Sequence, residues 1–358
     1  MAETFHALAR LAVPDPDRVI AALAAHFANH AAVTQSPDGT VLEAPRFGRL
    51  TLAADGAALL ARCESPTPAA LAFLKMYTAE GLIQAAGGAP ALRWTGDGAG
   101  GGPLPFFREM VVVRAEPVTP LMRRVVLAGD AAHFLASGGL HVRVLIPPAG
   151  RAPVWPHAGE DGRMVWPEGP DALVPRVYTV RAVDLARGEI AIDVVLHPGL
   201  STPGADWART ARPGDRVGLL GPGGAAPEPA PFMLLAGDET ALPAIARCLE
   251  SLPADTHAVV RIEVQDAGEE QNLPSPATLD LRYLHRGRAA PGRAGLLEAA
   301  VKAVALPADK ADTRAFVACE QAEARRIRTL IAATGMGKDR RMVAAYWRLG
   351  HAGEDIGE

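Results

Sequence analysis

Cysteine is scarce in this sequence, and its placement excludes two common stabilising devices. Cys63, Cys248 and Cys319 are the only three in 358 residues, an odd number spread far apart. They form no Cys-x-x-Cys pair and no Cys/His set with the spacing of zinc ligands. We therefore expect neither a disulfide framework nor a metal site built by the protein itself.

The sequence also lacks the marks of membrane proteins and nucleic-acid-binding proteins. No apolar run approaches the ~20 residues that span a bilayer, and the first residues contain no basic segment leading into an apolar one, as a signal peptide does. The 36 Lys and Arg residues face 40 Asp and Glu residues, a net charge of −4, so there is no bulk attraction to nucleic acid or anionic lipid. We expect a cytoplasmic protein that binds neither, in which a local cluster holds any anionic ligand.

The composition is typical of a folded globular chain. Hydrophobic residues make up 49% of the sequence and charged residues 21%. Glycine and proline together make up about 19%, below the level of roughly 25–30% that signals disorder. At roughly 150 residues per domain, the length predicts two or three domains.

Two stretches rich in glycine and proline, 96–105 and 221–231, divide the chain. Neither fits the GxGxxG or GxxxxGK[ST] pattern of a phosphate-binding loop, and their prolines lack amide donors. We interpret both as linkers, and the first as a flexible tether. The predicted domains are residues 1–97, 104–225 and 229–352.

The first of these segments predicts a small α+β domain. Its predicted elements are helices at about 14–30 and 67–86 and strands around 40–44, 48–53 and 57–63. His26 and His30 lie four residues apart on the first helix, a spacing that suits a metal. Since no third ligand is evident, we interpret them as exposed helix residues.

The other two segments have different patterns. Six short, Val-rich stretches predict an antiparallel β-barrel, interrupted by one helix with Ser201 or Thr202 as its N-cap: 109–118, 122–129, 141–147, 176–184, 189–197 and 215–221. Strands then alternate with helices, which predicts an α/β doubly wound parallel sheet. Its predicted strands are 231–236, 258–264, 281–284 and 315–318, and its helices are 241–252, 294–304 and 321–334.

The hexapeptide RVYTVR at 176–181 is the most informative stretch. Polar residues at alternate positions suit a strand that lines a bound flavin. The Arg176 guanidinium can pair with a pyrophosphate, the Tyr178 ring can cover the isoalloxazine or ribityl face, and the Thr179 hydroxyl can bond a ring nitrogen. The hexapeptide alone fits an edge strand with an exposed polar face equally well.

A second candidate lies just downstream, where a strand ending at His197 turns into a helix. Free amides at the start of that helix, near Gly204 and Ala205, suit a phosphate. Arg176 and this helix end could therefore meet on one pyrophosphate. Ordinary helix capping would give the same local pattern.

The chain from about 104 to 352 resembles the siderophore-interacting protein family, FAD-dependent ferric-siderophore reductases of the ferredoxin-reductase superfamily. The stretches that carry the resemblance are PLMRR (120–124), HVRVLIP (141–147), VWP (165–167), RVYTVR (176–181), VVLH (194–197), DWARTARPGDRVGLLGPGG (206–224), LLAGDETALPAIARCLESLP (234–253), YLHRGRAAPG (283–292) and AAYWRLG (344–350). The resemblance implies an FAD-binding barrel followed by an NAD(P)H-binding sheet. Residues 1–97 resemble a small domain of unknown function sometimes fused to such reductases.

The resemblance also implies site residues. Those expected to contact FAD are Arg176, Tyr178, Thr179, Val195, Leu196, His197, Gly204 and Ala205, with Tyr178 and Thr179 at the reacting ring. Those expected near NADPH or NADH are Gly237, Asp238, Glu239, Thr240, Ala241, Cys319 and Glu320. A basic rim for an anionic ferric siderophore is expected from Arg143, Arg286 and Arg348, for which ordinary surface ion pairs are an equal alternative.

The implied function is reduction of Fe(III) in ferric siderophores by an FAD-dependent NAD(P)H oxidoreductase. One alternative is a general flavin or ferredoxin-type reductase. Another is a protein that binds FAD or a siderophore without turnover. Two departures from the family pattern motivate the latter: Asp206 brings a carboxylate near the expected phosphate, and Cys319 stands where the family has glycine.

Overall fold

The structure is a computed structural model that describes residues 3–88, 91–136, 138–197, 199 and 201–351. Its helices are α1 Pro16–Phe27, α2 Pro68–Ala86, α3 Ala131–Ala136, α4 Pro203–Thr210, α5 Leu242–Glu250, α6 Leu296–Lys302 and α7 Gln321–Ala333. Within these described ranges, no helix is long and apolar enough to cross a bilayer.

The strands are shorter and more numerous. They are β1 Phe5–Ala12, β2 Ala32–Ser36, β3 Gly39–Ala44, β4 Gly48–Asp55, β5 Ala58–Ser65, β6 Trp94–Gly96, β7 Phe107–Thr119, β8 Met122–Ala128, β9 Gly139–Ile146, β10 His157–Ala158, β11 Met164–Val165, β12 Val174–Asp184, β13 Glu189–Val195, β14 Arg216–Ala225, β15 Phe232–Gly237, β16 His257–Val264, β17 Thr278–His285, β18 Thr313–Glu320 and β19 Arg341–Trp347.

The chain forms two compact units. The N-terminal unit comprises the residues up to Phe107 together with Gly150–Leu173, and the C-terminal unit comprises Arg108–Ala149 and the residues from Val174 onward. The hairpin of β10 and β11 therefore belongs to the N-terminal unit, although it lies between two strands of the other unit in sequence. The division into domains 1–97, 104–225 and 229–352 stays a prediction.

The N-terminal unit is built on an antiparallel sheet with the strand order β2-β3-β4-β5-β1-β6. Helix α1 begins where the Asp15 side chain accepts a hydrogen bond from the Arg18 amide at 3.0 Å. Its buried residues Val19, Ile20 and Leu23 join the apolar core of the sheet. This confirms the predicted α+β class, but β1, β2 and β6 were missed.

The predicted first helix was too long. Helix α1 ends at Phe27, so His30 lies beyond it in a turn and does not share a helix face with His26. Both histidines are exposed. The four-residue spacing therefore does not become a pair of adjacent helix side chains.

The glycine-rich stretch 96–105 is not a flexible tether, so that prediction was wrong. The Asp97 amide donates to the His6 carbonyl at 2.8 Å, and the Asp97 carboxylate accepts from the His6 amide at 2.8 Å. Gly102 exchanges two hydrogen bonds of 2.9 and 2.8 Å with Ala158 of the β10–β11 hairpin. Gly101 has φ +79°, and an added Cβ would lie 2.5 Å from the Ala158 carbonyl oxygen, so the glycines permit this close approach.

The C-terminal unit consists of a closed barrel and a parallel sheet, as predicted. The barrel has the order β12-β13-β8-β7-β14-β9, and the sheet has the order β17-β16-β15-β18-β19. Side chains alternate across β15, so that Leu235 joins one apolar core with α5, and Leu234 joins another with α6 and α7. Helices on both faces make the sheet doubly wound. The prediction missed α3 and β19, and the first half of the expected linker 221–231 continues strand β14.

Hydrogen bonds of buried side chains join the barrel to the sheet. The Glu269 carboxylate accepts from the Thr119 hydroxyl at 2.5 Å and from the Leu121 amide at 3.0 Å, both on the β7–β8 side of the barrel. His141 of β9 and Tyr346 of β19 are hydrogen-bonded at 2.7 Å between Nε2 and the hydroxyl. Burial lowers the pKa of His141 to about 4, so this imidazole is neutral.

We predict that Glu269→Ala destabilises the C-terminal unit by about 1–3 kcal/mol, because it leaves the buried Thr119 hydroxyl and the Leu121 amide without their hydrogen-bond partner. Urea unfolding of the full chain measures the change. The matched control is Glu270→Ala, whose carboxylate is exposed and bonds only His285 among the described contacts, and which should change stability by about 0.5 kcal/mol or less. Equal effects of the two variants would contradict the role given to Glu269.

Candidate functional site

Strand β12 places the flavin-motif residues on its two faces. Register with β9 sets Tyr178 opposite Val142 and Arg176 opposite Val144, and both valines face the barrel core. Thr179 points to the other face and is buried. The tyrosine ring lies against the core, with its centroid 6.5 Å from that of Trp207 in α4.

Helix α4 begins directly over Tyr178. Gly204 and Ala205 in its first turn are buried, and a Cβ added to Gly204 would overlap the Tyr178 hydroxyl oxygen. Burial raises the pKa of Tyr178 to about 12, so its phenol stays neutral. The structure therefore brings Tyr178, Gly204 and Ala205 into one cluster at a helix end whose first amides have no partners within the helix.

The Asp206 carboxylate is already paired. It accepts a hydrogen bond from the Ser201 hydroxyl at 2.5 Å and forms an ion pair with Arg209 one turn later. These two contacts lower the pKa of Asp206. Its charge is thus balanced by a cation of the same helix, which answers the concern that it would repel a phosphate at the helix start.

Arg176 retains donors for an anion. Its Nη1 donates to the neighbouring Pro175 carbonyl at 2.6 Å, and it has no carboxylate partner within the part of the chain that the structure describes. A guanidinium and the amides of a helix N-terminus form the donor set that a diphosphate needs. The crowded glycine and this donor set fit the FAD that the fold implies.

The turn between β15 and α5 is tied down by Asp238. Its Oδ1 accepts from the amide and the hydroxyl of Thr240 at 2.9 and 2.5 Å, and its Oδ2 accepts from Trp347 Nε1 at 2.7 Å. Burial raises the pKa of Asp238. A Cβ at Gly237 would overlap Ala241, so these predicted nucleotide-site residues form one close-packed turn fastened to the end of β19.

Arg286 lies inside this region and not on a rim. It is 9% exposed and forms an ion pair with the buried Glu239, although the two groups are not aligned as a hydrogen bond. Of the other two arginines expected at a siderophore, Arg143 is half-buried on β9 and Arg348 is exposed beyond β19. A role for Arg286 in binding the substrate stays a prediction.

The sequence prediction passed over Glu263. This residue is the last but one of strand β16, is 1% exposed, and its Oε2 has no hydrogen-bond partner in the described structure. Burial and the nearby carboxylate of Glu323 raise its pKa to about 7. A carboxylate within the apolar stretch AVVRIEV was the signal that was available.

Cys319 and Glu320 both have structural contacts. Cys319 is fully buried in the apolar core under α7, and burial raises the pKa of its thiol. The Glu320 carboxylate caps α7 by accepting from the amides of Ala322 and Glu323 at 2.6 and 3.1 Å, and it accepts from the Leu349 amide at 3.3 Å. A role for either residue at the nicotinamide stays a prediction.

His197 connects the two halves of the site. It follows β13, where Val195 and Leu196 are half-buried and the Leu196 amide bonds the Leu121 carbonyl at 2.8 Å. Burial and the charges of Arg209 and Arg286 lower the pKa of His197, and Asp238 opposes them. His197 is therefore within electrostatic range both of α4 and of the residues at the carboxyl ends of the parallel strands, where such sheets bind ligands.

Three family profiles match the chain, and together they cover most of it. "Siderophore-interacting protein" matches residues 230–350, "Siderophore-interacting FAD-binding domain" matches 111–226, and "Uncharacterized protein conserved in bacteria (DUF2218)" matches 8–95.

Individual proteins agree with the first two profiles. Ferric vibriobactin reductase ViuB of Vibrio cholerae is 32% identical over 251 residues, which are 68% of this chain and 90% of that protein. The chain belongs to the siderophore-interacting protein family. A siderophore utilization protein from T. fusca has a solved structure with 36% identity and a TM-score of 0.59, covering 70% of this chain and 95% of that one. The NADPH-dependent ferric-chelate reductase of Escherichia coli is 38% identical over 150 residues, 41% of this chain and 57% of that protein.

In this siderophore-interacting protein, we predict that Gly204→Ala destabilises the fold by about 1–3 kcal/mol, because the new methyl group displaces the Tyr178 hydroxyl. Thermal unfolding measures the loss. The double variant Gly204→Ala/Tyr178→Phe should recover part of it, since the colliding oxygen is gone. Gly223→Ala, whose Cβ would meet nothing within 4 Å, is the control; a loss for Gly204→Ala that Tyr178→Phe leaves unchanged would contradict the contact.

We also predict that Glu263 makes this protein less stable as the pH rises. Its folded pKa of about 7 exceeds the ordinary 4.5, so between these pH values the folded state keeps a proton that the unfolded state releases, and the free energy of unfolding falls as the pH increases. The substitution Glu263→Gln removes this pH-dependent decrease in the free energy of unfolding. At pH 8 the variant should exceed the natural chain in stability by on the order of 3 kcal/mol, and near pH 4 the difference should vanish. Urea titrations at both pH values test this, and parallel pH profiles would contradict it.

Proposed function

We propose that this chain is an FAD-dependent NAD(P)H oxidoreductase that reduces Fe(III) in ferric siderophores to Fe(II). The observation that carries the proposal is that one compact unit contains both half-sites, the barrel cluster of Tyr178 and Gly204 and the sheet turn at Asp238. The hydrogen bonds of Glu269 and His141 join the barrel to the sheet. An electron donor and an electron acceptor bound on the two sides would then lie close together. Relatives named as reductases of ferric vibriobactin and ferric chelates support the same reaction.

The residues of the barrel would hold and orient FAD. Arg176 and the amides of Gly204 and Ala205 would bind its diphosphate, and the neutral Tyr178 and the buried Thr179 would contact its ring system. When bound, FAD accepts two electrons from a nicotinamide and passes them on singly, which Fe(III) requires. The protein then needs no acid–base triad of its own.

The sheet would bind the nicotinamide nucleotide. The close-packed turn 237–241 lies at the carboxyl end of a central parallel strand, which is the usual ligand position in such sheets. Both carboxylate oxygens of Asp238 already accept hydrogen bonds, from Thr240 and from Trp347. Its proposed role is therefore to fix the turn against the end of β19. The structure favours neither NADPH nor NADH.

The siderophore is proposed to bind as an anion near exposed cations. Arg348 is exposed at the end of β19, and Arg143 lies on β9, which pairs with the flavin strand β12. Reduction weakens the hold of the chelator on iron, because hard oxygen ligands bind Fe(II) less strongly than Fe(III). The cytoplasmic location expected from the sequence stays a prediction.

Two other functions remain as alternatives to be tested. The two residues that motivate a protein binding FAD without turnover have structural contacts: the Cys319 thiol is buried, and the Asp206 carboxylate is paired with Arg209. A general flavin or ferredoxin-type reductase has the same two half-sites. It differs only in its electron acceptor, so the acceptor decides between them.

The experiment is an anaerobic visible spectrum of the full chain loaded with FAD, before and after addition of NADPH and, separately, NADH. We predict that the flavin absorbance bleaches, and that a ferric siderophore restores it faster than equimolar free flavin or ferredoxin does. Flavin that stays oxidised with both donors would support a binding role. Faster restoration by free flavin or ferredoxin would support the general reductase.

We further predict that Thr179→Val slows bleaching by about tenfold, because it removes a hydroxyl proposed to bond the flavin ring in a buried site. Stopped-flow absorbance measures the rate, and the bound flavin content is measured in parallel. Thr329→Val, which removes an exposed hydroxyl of α7 that bonds only its own helix, is the matched control. Equal rates for the two variants would argue against a place for Thr179 at the ring.

A further inference from the structure

The N-terminal unit contains a half-open pocket of about 260 Å³. Its walls come from helix α2, from the segment that follows β6, and from the β10–β11 hairpin. Most of the lining is apolar and includes Leu71, Met76, Leu104 and Phe106. Two residues of the lining are charged: Lys75 on α2, which is 5% exposed, and Asp97, which is exposed.

The Lys75 ammonium is held by neutral groups. Its Nζ donates to the Gly98 carbonyl at 2.6 Å and lies 3.4 Å from the Asp97 carbonyl. It also lies 5.9 Å from the centroid of the Trp94 ring. The Asp97 carboxylate bonds the His6 amide, and Lys75 has no ion pair within the described ranges.

A buried ammonium without a paired anion is unfavourable. Burial accordingly lowers the pKa of Lys75, and the neighbouring Cys63 and Asp97 offset this only in part. Carbonyl oxygens and an aromatic face supply partial negative charge. A full negative charge in the adjoining pocket would complete the pairing.

We propose that this pocket is a binding site for a small monoanion with an apolar body, its carboxylate against Lys75 and its body against Leu71, Met76, Leu104 and Phe106. Lys75 has no ion pair in the described part of the chain and can take one negative charge, whereas a dianion would bury an excess charge among apolar walls in a pocket that Asp97 also lines. The volume suits a molecule of one or two rings. The site is independent of the reductase function, since it uses no residue of the barrel or of the parallel sheet.

The pocket also joins segments that are distant in sequence. Gly162 of the hairpin packs so closely on Lys75 and Trp94 that an added Cβ would lie 3.1 Å from Lys75 Cβ and 3.0 Å from Trp94 Nε1. The Trp94 indole donates to the Asp161 carbonyl at 2.9 Å. A bound anion would therefore touch both the helix α2 and the segment that continues in sequence into strand β12 and Arg176.

The test uses two probes of equal shape on the full chain: 2-naphthoate, which is anionic, and 2-naphthamide, which is neutral. Isothermal titration measures both dissociation constants. We predict that naphthoate binds about tenfold or more tightly than naphthamide. Equal affinity of the two probes, or no binding of naphthoate at millimolar concentration, would overturn the proposal.

Three variants locate the site. Lys75→Met should abolish the preference for naphthoate, whereas Lys302→Met, which removes an exposed lysine of α6, should leave it unchanged. Ala72→Leu fills the pocket from α2 while keeping the ammonium, and it should weaken both probes. If Lys75→Met fails to fold, Ala72→Leu alone decides: unchanged naphthoate affinity in that variant would overturn the pocket as the site.

Discussion

The candidate site depends on one buried guanidinium. Arg286 follows strand β17, pairs with Glu239 in the β15–α5 turn, and its charge also acts on Asp238, Glu263 and His197. Without this cation, several buried carboxylates would face each other across the carboxyl edge of the sheet, which is strongly unfavourable. Arg286 thus offsets buried negative charge at the strand ends, beside the turn that the hydrogen bonds of Asp238 hold in place.

A second constraint positions the barrel on this edge. The Glu269 carboxylate bonds the β7–β8 side of the barrel, and His141 bonds Tyr346 of the last strand. These bonds are at least partly buried and specific in direction, so they hold the cluster of Tyr178 and Gly204 in a fixed relation to the turn at Asp238. A two-site electron-transfer protein needs such a fixed relation, because its two ligands must meet without large motions.

Local patterns in the sequence predicted the fold class and the cluster of Tyr178 with Gly204, whereas the turn 237–241 was expected from the family resemblance. Alternating valines identify the barrel strands, and the Pro203-Gly204-Ala205 start identifies α4. Pairing over long distances was not predictable. The sequence shows neither that Arg286 turns inward onto Glu239 nor that Glu263 is buried. The glycines at 96–105 suggested flexibility, because nothing local reveals that Gly101 and Gly102 lie against Ala158.

FAD is proposed to bind the C-terminal unit at β12 and α4, facing the sheet. A crystal structure of the full chain with FAD tests this most directly. We expect cofactor density in which the diphosphate lies within hydrogen-bond distance of Arg176 and of the Gly204 and Ala205 amides, with the ring beside Tyr178 and Thr179. Density at another place on the barrel, with Arg176 bound to a protein carboxylate, would contradict it.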